Sequence, residues 1–166
     1  TRTLEETEAM SGMLRVRPTS IDLASLIEEV IDAYAYAAES RGIDLCAEVE
    51  HPTAACADPL RVRQAVSNLV DNALKFTAEG STVRVRTVRN ERTATVTVTD
   101  EAEIIPRDGR ETIWQYRHRS SSEGEGYGIG LFLVRAIARQ HGGDARVEAG
   151  EKGNRFVLEL PGECEP

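Results

Sequence analysis

Asn68, Asn72 and Lys75 are spaced so that a helix turning ~100° per residue would set them on one edge, with Arg61 and Gln64 ahead of them on the same side. Val62, Val66, Leu69, Val70, Ala73 and Leu74 fall opposite. The plain reading of such a stripe is the solvated face of an amphipathic helix, which ordinarily carries charged pairs. This one carries amides. Carboxamide oxygens one turn apart offer neutral ligands to a hard cation such as Mg2+, and an ammonium group supplies charge for phosphate oxygens. Among 20 basic residues only Lys75 and Lys152 are lysines, and one of them falls on this edge.

Two further groups have chemical character. Along Ala94-Thr-Val96-Thr-Val98-Thr-Asp100 the even positions share a face, so a carboxylate ends an apolar row and needs a donor; a strand merely ending in Asp before a loop is the other reading. Gly124-Glu-Gly126-Tyr-Gly128-Ile-Gly130-Leu131 runs into an apolar helix. Glycines at a helix start leave backbone N–H groups open to phosphate oxygens, at the positive end of the helix.

The elements that must position these residues are legible from period and punctuation. Residues 3–14 read as the tail of a longer helix that Pro18 stops. Asp22 caps a helix to about Ser40, ended by Gly42, and a short strand spans Ile43 to Val49. Asp58-Pro59 opens the helix with the amide stripe, which runs to about Thr77. Strands Thr82–Val88 and Thr93–Asp100 form a hairpin through Arg89-Asn90-Glu91-Arg92. Residues 101–127 lack periodicity and read as a lid or binding loop. A helix from about Gly128 to His141 and strands Ala145–Ala149 and Arg155–Leu160 close the chain. The expected fold class is α/β: a two-layer sandwich of a mixed β-sheet covered on one face by about three helices, with a lid loop.

Asp58-Pro-Leu-Arg61-Val-Arg-Gln64-Ala-Val-Ser-Asn68-Leu-Val-Asp-Asn72-Ala-Leu-Lys75-Phe76-Thr77 closely resembles the N box of histidine kinases. The resemblance implies a Bergerat-type ATP-binding fold in which Asn68 and Asn72 hold Mg2+, Lys75 touches phosphate and Phe76 lines the nucleotide pocket. Related gyrase, mismatch-repair and chaperone ATPases and anti-sigma-factor kinases resemble one another in placing a general-base Glu four residues before the second Asn. Here that residue is Asn68, and an amide accepts no proton, which argues against hydrolysis and Ser/Thr phosphorylation.

Asp100-Glu-Ala102-Glu-Ile104-Ile105-Pro106 is similar to the family's G1 box, Asp-x-Gly-x-Gly-Ile-Pro, but has lost both glycines. By resemblance Asp100 accepts the adenine amino group, with Ala102 and Ile105 beside it. Ala and β-branched Ile deny the backbone the freedom of glycine, which puts the adenine geometry in question. Ile113-Trp114-Gln115 resembles the F box, and the glycine run resembles the G2 box, assigning Gly126, Gly128, Ile129, Gly130 and Leu131 to the nucleotide. Arg119, or Arg117, would reach the γ-phosphate from the lid, and a solvated arginine is the alternative for either. His118 and His141 are expected to be structural or exposed. His141-Gly142-Gly143, Gly153-x-x-Phe156 and Leu160-Pro161 match the family's usual ending.

A net charge of -8 with scattered arginines excludes nucleic acid as an ordinary ligand. No apolar run approaches the ~20 residues of a membrane span. Cys46, Cys56 and Cys164 form no C-x-x-C pair and are expected to be free thiols in a reducing cytoplasm, membrane association through a partner or a preceding region being left open. Residues 1–17 would end a dimerisation hairpin, 18–163 form the ATP-binding domain, and 164–166 a tail. None of His51, His118 and His141 sits in a phosphoacceptor-like helix, so the expected acceptor is a histidine on a separate domain or chain, with a response regulator downstream. Catalytic roles fall to Asn68, Lys75 and Arg119. A degenerate pseudokinase, acting as a docking or regulatory nucleotide-binding module, is the rival reading.

Overall fold

Period-two apolar runs give this chain one sheet, and period-3.6 runs give it the helices that cover that sheet. The computed structural model describes Leu4 and residues 14–116 and 130–165. In chain order the elements are β1 (Thr19–Asp22), α1 (Leu23–Ser40), β2 (Asp44–Glu48), β3 (Ala54–Ala57), α2 (Pro59–Phe76), β4 (Thr82–Arg89), β5 (Thr93–Thr99), α3 (Gly130–Gln140), β6 (Asp144–Ala149) and β7 (Asn154–Pro161). Two 3-10 turns, Arg107–Gly109 and Thr112–Trp114, lie between β5 and α3.

The main sheet has the order β2-β4-β5-β7-β6. Its β2–β4 pair is parallel and the others antiparallel, so the sheet is mixed as expected. Val83 and Val85, Ala94, Val96 and Val98, and Phe156, Leu158 and Leu160 all point to the buried face. There they meet Ile27 and Val30 of α1, Val66 and Leu69 of α2, and Val134 and Ile137 of α3 in one core. Thr93, Thr95, Thr97 and Thr99 alternate onto the opposite, partly exposed face of β5.

The start of α1 is fixed by Asp22, whose Oδ1 accepts from Ala24 N at 3.0 Å and from Thr53 N at 2.8 Å. That carboxyl sits below its ordinary range: burial would raise it, but these donors and the Ser25 hydroxyl outweigh burial.

One element was not anticipated and one expectation is corrected. The sequence pattern assigns no strand to residues 19–22 or 54–57, yet they pair antiparallel as the ribbon β1–β3, with Ser20 opposite Cys56. Runs of four residues carry too little period to be seen, and their partners are distant in sequence. Free thiols are also not what the structure has at two of the three cysteines. Cys56 and Cys164 form a disulfide across a sequence separation of 108 residues, and Cys46 alone is free. Spacing rules see only neighbours, whereas this pair meets because β3 packs beside β7 and the segment following β7 carries Cys164. The inference from cysteine spacing to a reducing compartment loses its support with it.

The disulfide has a direct test. Alkylation of unreduced protein should label Cys46 and leave Cys56 and Cys164 in one linked peptide pair by mass spectrometry. Cys164→Ser should cost about 2–4 kcal/mol of unfolding free energy relative to oxidised protein, and little relative to reduced protein.

Candidate functional site

Asp58 sets the beginning of α2. Its Oδ1 accepts from Leu60 N (3.0 Å) and Arg61 N (3.4 Å), and its Oδ2 accepts from Arg17 N at 2.9 Å. The Asp58 N–H donates to Nε2 of His141 at 2.9 Å. Since Nε2 accepts, the proton lies on Nδ1, which donates to the Ile137 carbonyl at 2.8 Å. His141 is 8% exposed and joins the end of α3 to the start of α2, a structural role as expected.

Helix length then decides which residues meet. Asn68 lies ten residues beyond Asp58, and Gly130 eleven before His141. At 1.5 Å per residue both distances are about 15–17 Å, so the two residues arrive side by side. A methyl group on Gly130 would stand 3.8 Å from Cβ and Cγ of Asn68. Asn68 and Asn72 are half-buried, and Lys75 is exposed. The Lys75 ammonium lies 5.6 Å from the centre of the Phe76 ring. Among the described residues no group of three or more His, Cys, Asp and Glu side chains could cage a metal ion. The side-chain oxygens of Asn68 and Asn72 are neutral donors of the kind a hard cation accepts alongside phosphate oxygens.

At the end of β5, Asp100 is only 3% exposed. Its Oδ1 accepts from Asn154 N at 3.0 Å, Ala102 N at 3.1 Å and Asn154 Nδ2 at 3.4 Å. Burial pushes the carboxyl above its usual range against the pull of these donors, and the charge of Glu101 adds to the rise. Gly153 passes so close that a Cβ there would lie 2.4 Å from the Asp100 carbonyl oxygen, which only glycine permits. Ala102 is half-buried beside it, and Ile105 is 6% exposed in the core.

Not every residue singled out lies where a ligand could touch it. Leu131 is 1% exposed and belongs to the core, so it supports the site from behind. Trp114 is also a core side chain, edge-on to Phe156 with centroids 6.1 Å apart and under the Arg135 guanidinium at 5.4 Å. Arg119, Gly126, Gly128 and Ile129, with Arg117 and His118, lie outside the described residues. Asn154 is the buried partner of Asp100 that sequence reasoning missed. The Gly153-x-x-Phe156 pattern drew attention to its ends and not to the carboxamide between them.

Comparison with known proteins decides the family. Residues 57–163 match the model of the histidine kinase-, DNA gyrase B- and HSP90-like ATPases. The chain belongs to that family. Within it, the similarity is to the ATP-binding catalytic domains of sensor histidine kinases. The adaptive-response sensory kinase SasA of Synechococcus sp. strain JA-3-3Ab is 36% identical over 164 residues, covering 95% of this chain and 43% of that protein. Sensor histidine kinase CusS of Escherichia coli K12 is 33% identical over 158 residues, covering 93% and 33%. The chain thus spans less than half the length of these relatives. In three dimensions it resembles the catalytic domain of histidine kinase ThkA, with a TM-score of 0.80, 28% identity and coverage of 88% of this chain and 98% of that one. ThkA in complex with the response regulator TrrA matches with a TM-score of 0.79 at 25% identity, over 96% of this chain and 46% of that one.

The buried carboxylate of this kinase-like domain makes a signed prediction. A carboxyl raised in the folded state costs stability above its folded value, and the cost is gone below the ordinary value of 3.8. Asp100→Asn keeps the accepting oxygen and removes the charge. By chemical denaturation it should be at least as stable as the parent at pH 7, with the difference shrinking as pH falls through the raised value.

Proposed function

We propose that this chain binds Mg-ATP and passes the γ-phosphoryl group to a histidine on a separate domain or partner chain, in a two-component signalling system. The observation that carries the reading is the meeting of Asn68 with Gly130, which sets a row of amides and an ammonium beside the start of a helix. In this reading Asn68 and Asn72 hold Mg2+, Lys75 contacts phosphate, Phe76 borders the nucleotide, and Asp100 accepts the adenine amino group. Gly130 lets the start of α3 come close to phosphate, and Gly126, Gly128 and Ile129 precede it in the same run. Arg119, or Arg117, is assigned to the γ-phosphate from its place in the lid segment. Bound Mg2+ would supply charge neutralisation between phosphate oxygens.

The residues of this site do positioning rather than covalent chemistry. Asn68 cannot take a proton, so the nucleophile must carry its own reactivity, as an imidazole nitrogen does. The remainder of a longer protein, or a partner, supplies that imidazole, and residues 1–17 are read as the end of the dimerisation hairpin that would present it. A response regulator then receives the phosphoryl group, a reading supported by the complex of ThkA with TrrA. No helix among the described residues is long and apolar enough to cross a membrane.

One observation favours a second reading. Ala102 and Ile104 stand where the G1 box has glycines, as in a pseudokinase that docks without transferring phosphate. Labelled ATP and a dimerisation hairpin bearing its histidine separate the two. Transfer is expected, with Asn72→Ala slowing it roughly a hundredfold. Nucleotide binding by calorimetry without label on any histidine would leave the docking module standing, and phosphate release surviving Asn68→Ala without an acceptor would point to a hydrolase.

A further inference from the structure

The segment between Asp100 and Ile105 poses a physical problem. Where a loop must turn tightly beside a ligand, glycine supplies the freedom, and here Ala102 and Ile104 replace it. Something else must hold the backbone. Asn154, 2% exposed at the start of β7, is the side chain placed to do so.

Its carboxamide is engaged at both ends. Oδ1 accepts from Ile105 N at 2.8 Å, and Nδ2 donates to the Glu103 carbonyl at 2.9 Å. Only this orientation of the amide satisfies an N–H and a C=O together, so the assignment of its nitrogen and oxygen is determined by the partners. The same Nδ2 reaches Asp100 Oδ1 at 3.4 Å, and the Asn154 main-chain N–H reaches that oxygen at 3.0 Å. With Ala102 N at 3.1 Å, Oδ1 has three N–H donors from the protein. Among the described residues no N–H or O–H donates to Oδ2.

We propose that Asn154 is a positioning residue for nucleotide recognition: it braces residues 103–105 in place of the missing glycines and orients the Asp100 carboxylate so that Oδ2 alone is presented to an exocyclic amino group. The inference rests on the reading that Asp100 meets adenine, and it deepens it. Recognition then depends on a donor at the purine 6-position. A 6-oxo purine would set acceptor against acceptor, and an unsubstituted purine would leave Oδ2 without a partner.

Calorimetry of the 166-residue chain with ADP and with purine riboside diphosphate, which lacks the amino group, tests this. The parent should prefer ADP. Asn154→Ala should reduce that preference roughly tenfold, while affinity for purine riboside diphosphate changes by less than about twofold. Asn154→Thr, which retains a donor and an acceptor on a shorter arm, should keep an intermediate preference, and it carries the test if the alanine variant does not fold. Equal weakening of both ligands in these variants, or an undiminished preference for ADP, overturns the proposal. A parent chain that binds both ligands alike, or neither, overturns the Asp100 reading and this inference with it. A parent preference for ADP that disappears in Asp100→Ala but persists in both Asn154 variants overturns the inference alone.

Discussion

The hydrogen bond from Asp58 N to His141 Nε2 is the constraint on which the arrangement of the site rests. It joins the cap of α2 to the residue that follows α3, so that α2 leaves the tie and α3 arrives at it, the two helices lying side by side. Their registration is then a matter of counting residues. With Asn68 and Gly130 almost equidistant from the tie, the amide stripe meets the start of α3 rather than its middle. The tie is also protected. A neutral imidazole with both nitrogens bonded inside the protein leaves no buried donor or acceptor without a partner, and losing either bond would cost about 1–3 kcal/mol.

A second constraint comes from the sheet. Thr99 pairs with Arg155 in the β5–β7 register, and Asp100 N continues the ladder by donating to the Asn154 carbonyl at 2.9 Å. That register places Gly153 and Asn154 against the Asp100 carboxylate. A slip of one residue would turn the carboxamide to the other side of the sheet. Keeping Asp100 buried is unfavourable by itself, because a carboxylate is better solvated by water than by three N–H groups. Such costs accumulate at functional positions, where a preorganised acceptor is worth more than local stability.

The amphipathic helices and the alternating strands β4 and β5 were legible in the sequence because their patterns are local. Asp22 and Asp58 announced helix starts, and each caps the helix expected of it. The amide stripe was legible for the same reason, since Asn68, Asn72 and Lys75 share an edge in any helix. The family's motifs, read at their spacings, pointed to the fold and to the histidine-kinase relatives. The glycines lost at Ala102 and Ile104 were equally visible, and raised a question about the loop that the sequence could not answer.

Its answer lies in Asn154, far along the chain from Asp100, and separation in sequence likewise hid the ribbon of Ser20 with Cys56 and the disulfide of Cys56 with Cys164. The sequence by itself determined which segments become helix and strand and which side chains share a face, because these follow from backbone periods of two and 3.6 residues. Only the tertiary structure decided which faces meet, which carboxylate oxygen is spoken for and which cysteines pair. Those outcomes depend on sheet register and helix length acting across the whole chain, and no local window of residues contains them.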